Sequence, residues 1–169
     1  YISEKATVRG ESIISQNAQV FGEAIVMGRC TIEGYARVYE HALVEGYSSI
    51  RGTSSIHGHC SISGRIITED SADIAGYVQI ASKALINGTA CIYNIDDFMN
   101  IYPVFGNHLF AFKNSDGKIM VSVEDLLAFN NIPLEKIATL NPKHYEGDKN
   151  KSKEFIDCIC KIFNQKFSK

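Results

Sequence analysis

From Val8 to Ile92 every sixth residue is aliphatic, with one exception. The series runs Val8, Ile14, Val20, Val26, Ile32, Val38, Val44, Ile50, Ile56 and Ile62, breaks at Thr68, and resumes in phase at Ile74, Ile80, Ile86 and Ile92. A small residue stands two places before most of these, as at Ala18, Ala24, Cys30, Ala36, Ser48 and Cys60. Two places after comes a glycine, as at Gly10, Gly22, Gly28, Gly46 and Gly88. A period of six fits neither an α-helix, whose apolar stripe recurs near 3.6, nor a meander with unevenly spaced turns. It predicts a chain wound as a triangular prism, each hexad supplying one short strand and one corner. The aliphatic residue points inward, the small residue fits the crowded corner, and glycine gives the backbone freedom to bend. Three hexads make one coil of eighteen residues, so residues 6–94 give five coils. Stacked about 4.8 Å apart, they form a prism about 24 Å tall. Each coil buries its aliphatics only by stacking on the next.

The rhythm stops at Asp96-Asp97, which divides the chain into a repeat unit (1–96) and a smaller α+β unit (97–169). His108–Phe112 alternates as a strand, Asn114-Ser115-Asp116-Gly117 reads as a turn, and Lys118–Val123 as a second strand. Ser122 and Asp125 fit the N-terminus of a helix around 123–130. Pro133 opens another helix that stops before Pro142. Phe155, Ile159, Ile162 and Phe163 recur at helical spacing in a final segment. So small a unit is not secure alone, and it is expected to pack on the last coil and cover that end. At the other end the chain opens at Tyr1 rather than Met, with the repeat close behind. An unpaired strand edge there suggests a fragment, a processed form, or a cap supplied by a partner.

The A-x-V-x-G-x phrasing resembles the hexapeptide-repeat left-handed parallel β-helix. The left-handed sense is implied by that resemblance alone, since the usual crossover rule favours the right-handed one. The tail is similar to a short C-terminal ββα unit that many phage and prophage proteins join to such repeats. The resemblance rests on Pro103–Gly106, Asp116-Gly117, Val121-Ser122, Leu134-Glu135-Lys136, His144 and Lys153-Glu154-Phe155. The opening Tyr1-Ile2-Ser3-Glu4-Lys5 resembles the lead-in of the same group and of YdcK-like proteins. The chain departs from that group at Val123-Glu124-Asp125, where Gly-Cys-Phe is usual. The resemblance implies a fold and carries no well-established activity.

Charge narrows the partners. Residues 1–95 hold seven basic and nine acidic side chains, and residues 96–169 hold ten of each. That balance argues against a nucleic-acid binder driven by phosphate attraction. No apolar run approaches membrane-spanning length and no signal peptide is present. Cys30 and Cys60 take the small-residue position of the repeat, Cys91 lies on an outer face, and Cys158 and Cys160 fall on the final helical segment. None has zinc-site spacing, so no metal is expected. Reduced, structural cysteines suit the cytoplasm, here that of a bacterial host.

Residues eighteen apart stack, so the sequence can be read as a surface. One outward column is Phe21, Tyr39, His57, Ala75, Tyr93, and beside it run Glu23, His41, His59, Tyr77. Contiguous apolar stripes mark interfaces, which makes Phe21, Tyr39, His57 and Tyr93 candidate interface residues. The resemblance to hexapeptide proteins makes a homotrimer the first guess. Arg29, Tyr47, Arg65 and Lys83 form a second column, a candidate site for a small anion. A third, Glu33–Arg51–Glu69, alternates in sign and reads as surface ion pairs.

Two functions fit. The hexapeptide fold is best known from acyltransferases that take an acyl group from a coenzyme A thioester and use a histidine as general base. His57 and His59 are then the candidate catalytic residues. Such enzymes usually extrude a loop from the prism, whereas here the hexads run in phase from 6 to 94 without insertion. Five bare coils also offer little concavity for a substrate. The favoured expectation is a non-catalytic binding or assembly module that needs no cofactor and binds a host protein or a small anionic ligand.

Overall fold

The computed structural model describes residues 1–104, 107–123 and 131–137, with isolated positions 157, 161, 162 and 165. The expected helix around 123–130, the continuation of the next helix towards Pro142, and the Phe155–Phe163 segment lie outside the described residues. So do His144, Cys158 and Cys160.

The repeat folds as a parallel β-solenoid of about five coils. On one face Thr7–Val8, Ile25–Val26 and Leu43–Val44 stack beneath the starts of two longer strands, Ser61–Thr68 and Gln79–Ile86. On the second, Ile13–Ile14, Thr31–Ile32 and Ser49–Ile50 lead to the end of Ser61–Thr68. The third face is built from Gln19–Val20, Arg37–Val38, Ser55–Ile56, Asp73–Ile74 and Cys91–Ile92. Every pair is in register at a spacing of eighteen, as Thr7 with Ile25 and Asp73 with Cys91.

The inward series from Val20 to Ile92 is buried, and so are the small residues from Ala18 to Ala90. Val8 and Ile14 of the first coil are only partly covered. Cys30 and Cys60 fill alanine positions. Burial raises both thiols above their ordinary range, Cys60 to about 12.

The break at Thr68 is a local exchange of volumes. Ile66 takes the position where the repeat puts a small residue, Thr68 takes the aliphatic one, and both are fully buried. A large residue two places from a small one keeps the interior filled. The cost is the hydroxyl: Thr68 Oγ1 is buried with no hydrogen-bond partner among the described residues.

From Gly10 to Gly88 the corner two places after the inward residue is left-handed, Ser82 excepted. Gly52 sits at φ +67°, and a Cβ there would come within 2.5 Å of the Asp70 carbonyl one coil up. Three corners are not glycine: Gln16, Glu40 and Asp70, at φ 57–59°. Glu40 and Asp70 both reach to the coil above. Glu40 Oε2 accepts the Gly58 N–H at 2.8 Å, and Asp70 Oδ2 accepts that of Gly88 at 3.0 Å. At Ser82 the corner is absent, because Gln79–Ile86 runs through it as one strand.

Beyond the last coil lies an antiparallel sheet ordered Phe98–Val104, Asn107–Lys113, Ile119–Val123, Ile132–Pro133. The expected hairpin is present. Asn114 Oδ1 accepts the N–H groups of Asp116 and Lys118, and Gly117 takes φ +74°. Two strands were not anticipated from the sequence, the edge strand Phe98–Val104 and the short Ile132–Pro133. Pro133 pairs with Met120, and the helical turn starts at Leu134. Phe98, Phe110, Phe112 and Met120 belong to the same core as Ile80, Ile86 and Ile92, so this sheet closes the top of the prism.

Asp97 fixes the joint. Its carboxylate accepts the N–H groups of Tyr93 and Asn94 at 3.0 and 2.9 Å, ending the solenoid in a tight turn, and takes Lys113 Nζ at 2.8 Å from the sheet. Burial opposes its ionisation, but Lys113 and the two amides outweigh burial and hold the carboxyl below its ordinary 3.8. A lowered folded value contributes stability above the unfolded pKa, which is lost as the pH falls through the folded one.

Four substitutions test this architecture. Thr68→Val removes an unpaired hydroxyl and should stabilise the chain by about 1–2 kcal/mol in denaturant titration; a loss would mean that the hydroxyl finds a partner in solution. Gly117→Ala meets nothing within 4 Å and should cost about 1 kcal/mol, the left-handed backbone alone. Gly52→Ala adds a backbone clash and should cost about 3 kcal/mol. Asp97→Asn should cost about 1–2 kcal/mol at pH 7, Lys113 being one-third exposed. That deficit should shrink below pH 3.8, and a pH-independent deficit would exclude the ion pair as its source.

Candidate functional site

The third face carries the candidate chemistry. Because side chains alternate along a strand, positions 19 and 21 and their equivalents eighteen apart point outward on it. Parallel in-register stacking then brings identical positions within ring-stacking distance. Phe21 and Tyr39 stack with centroids 4.9 Å apart and planes 4° apart, and Tyr39 and His57 at 4.6 Å and 4°. In the neighbouring column His41 stacks on His59 at 4.6 Å, and His59 on Tyr77 at 4.9 Å. The structure thus brings Phe21, Tyr39 and His57 into one stack and His59 into a second. Tyr93 stands at the top of the first column, separated from His57 by Ala75, which is buried.

Carboxylates tie these rings together. His57 Nε2 lies 3.1 Å from Asp73 Oδ1, and Nδ1 lies 3.7 Å from Glu40 Oε2. Asp73 also accepts the Tyr93 hydroxyl through Oδ2 at 2.7 Å. His41 Nδ1 is 3.2 Å from Glu23 Oε2. The anionic partners act on the phenols. Asp73's hydrogen bond, helped by burial, pushes the Tyr93 phenol up. Burial and the charges of Asp73 and Glu40 raise that of Tyr39. Both tyrosines therefore stay neutral hydrogen-bond donors.

Asp73 and Glu40 were not singled out from the sequence. The signal for Asp73 was its place on the column Gln19, Arg37, Ser55, Asp73, which runs beside that of His57. Glu40 is a corner residue, held at a left-handed φ by its bond to Gly58, and no ladder rule points to it.

The arrangement bears on proton transfer. Each ring nitrogen of His57 faces a carboxylate, and one ring face is covered by Tyr39. A general base needs one nitrogen within reach of the substrate; Nε2 is hydrogen-bonded to Asp73, whereas Nδ1, 3.7 Å from Glu40, lies beyond hydrogen-bond distance. His59 makes no ion pair among the described residues and is stacked between His41 and Tyr77.

The basic column is aligned as expected, with Arg65 in register with Lys83. Arg29 is already paired to Glu11 (Nε to Oε2, 2.7 Å) and lies over the Tyr47 ring, 5.9 Å from its centroid. In the alternating column Arg51 bridges Glu33 at 2.9 Å and Glu69 at 3.8 Å.

Where the third face meets the C-terminal sheet there is a cleft of about 490 Å³, lined by Gly76, Tyr77, Tyr93, Asn94, Ile95, Asp96 and the Asp97–Lys113 pair. A Cβ on Gly76 would lie 2.5 Å from the Tyr93 carbonyl. Only glycine lets the last coil approach there. Among the described residues no group of three or more His, Cys, Asp or Glu side chains is placed to hold a metal ion, and no helix is long and apolar enough to cross a membrane.

No protein-family model, no curated protein and no solved structure matches this chain.

Proposed function

We propose that this chain is a non-catalytic binding and assembly module that engages a protein partner through the aromatic–histidine face. The carrying observation is the pair of continuous ring stacks, Phe21–Tyr39–His57 and His41–His59–Tyr77, on one flat, partly exposed face. Such a surface offers large rigid side chains with little conformational entropy to lose on binding, the quality that concentrates binding energy in aromatic anchors. The finer form of the reading is a cytoplasmic phage or prophage protein that forms a homotrimer and holds a host protein. It is supported by the resemblance carried by the repeat and the tail residues Asp116-Gly117 and Val121-Ser122. The Arg29–Tyr47–Arg65–Lys83 corner is the surface suited to a small anionic ligand.

The second reading, acyl transfer from a coenzyme A thioester, has one observation in its favour: a carboxylate, Asp73, lies against the His57 imidazole, as in a general-base pair. The hexads run from 6 to 94 without the loop insertion such enzymes usually extrude, which favours binding over transfer.

Native mass spectrometry of the protein from its own host distinguishes the readings. The wild type should show a trimer or a complex of fixed stoichiometry. Tyr39→Asp should abolish it while the chain stays folded by circular dichroism, at a lower thermal midpoint because the stacks on Phe21 and His57 are lost. A bare monomer, or assembly indifferent to Tyr39→Asp, would sink the binding reading. Stabilisation by acetyl-coenzyme A with turnover lost in His57→Ala would establish the transferase instead.

A further inference from the structure

The His41–His59–Tyr77 stack ends at the cleft. One face of Tyr77 lies on His59; the residue as a whole is 83% exposed, and no ring covers its other face among the described residues. The next position in the column is Ile95, which supplies an aliphatic side rather than another ring. A second ring, Tyr93, lines the same cleft and is fixed by the bond from its hydroxyl to Asp73 Oδ2. The ring walls are thus held in place before any ligand arrives.

The charges around this space are unequal. Asp96 and Asp97 line it, and among the described residues the one lining cation, Lys113, is bound to Asp97 at 2.8 Å. Two carboxylates against one lysine, with Asp97 already paired to it, leave Asp96 to make the site anionic between two aromatic rings. An aromatic face attracts a cation through its quadrupole, most strongly where water is excluded. A nearby carboxylate adds the charge complement.

We propose that this cleft binds an organic cation, an alkylated ammonium or a guanidinium, laid against the open face of Tyr77 with Asp96 as its counter-ion. A volume near 490 Å³ falls within the usual range for small-ligand sites, about 300–1,000 Å³. The cation can come from two sources, a free small molecule or an arginine or methylated lysine side chain of a bound protein. The proposal rests on the aromatic–histidine face being the binding surface, but it places the recognition at the end of that face rather than along it.

Isothermal titration of the full chain with tetramethylammonium, agmatine and an arginine-containing tripeptide tests this, with tert-butanol and a urea derivative as neutral counterparts. At least one cation should bind, and its neutral counterpart should not. Tyr77→Ala and Asp96→Asn should each weaken binding about tenfold, with thermal midpoints close to wild type. Binding of the free cations assigns a small-molecule ligand, and binding of the tripeptide alone assigns a side chain. If no cation binds, if neutral and cationic probes bind alike, or if both variants bind like the wild type, the proposal is overturned. In that case loss of assembly in Tyr39→Asp would still leave the broader binding reading standing, so the two fail separately.

Discussion

The backbone corner taken every sixth residue governs the rest of this structure. To close a coil in eighteen residues the chain adopts a left-handed φ at nearly every corner, and coils stack so closely that most corners have no space for a Cβ. Glycine meets both demands. Where the sequence departs from it, at Glu40 and Asp70, the carboxylate takes the amide of the glycine one coil up and offsets part of the cost of the left-handed backbone. The same Glu40 oxygen faces His57 Nδ1. A device that secures a corner thereby supplies charge to the candidate site, and structure and chemistry are not separable at that residue.

How far the fold could be read in advance follows from the same constraint. Strict register at eighteen made the inward series, the small positions, the glycine corners and the surface columns visible in the sequence. The stacks of Phe21 on Tyr39 and Tyr39 on His57, and the bridging of Glu33 and Glu69 by Arg51, are that register expressed in side chains. Contacts between columns were not legible. His57 to Asp73 and Tyr93 to Asp73 run diagonally across the face and depend on side-chain rotamers, which no period encodes. The terminal sheet was half legible. Asn114–Gly117 announces its hairpin through turn chemistry, but Phe98–Val104 contains Pro103 and lacks alternation. It forms as the edge strand of its sheet, a position that tolerates a missing N–H.

Thr68 shows where a repeat can be broken without losing register. Its neighbour Ile66 supplies the missing volume within the same hexad, so the interior stays filled while the aliphatic series is interrupted. Nearby, Ser61–Thr68 and Gln79–Ile86 run as eight-residue strands, and at Ser82 the corner is lost altogether. The upper coils are therefore less regular than the lower ones before the terminal sheet is reached. This is the region on which that sheet packs.

The cleft arises from the mismatch between two architectures. A parallel solenoid can extend indefinitely by adding coils, each ring stacking on the ring below. The antiparallel sheet ends that growth, and the Asp97 turn redirects the chain before the ring columns are completed. Among the described residues no ring covers the outer face of Tyr77, and Tyr93 stands beyond Ala75 with its hydroxyl bonded to Asp73. An uninterrupted solenoid would have covered both rings with the next coil. Aromatic surface that the fold prepares but does not itself cover gains most from a partner that stacks on it. The carboxylates gathered at the same junction set the sign of charge that such a partner should bring.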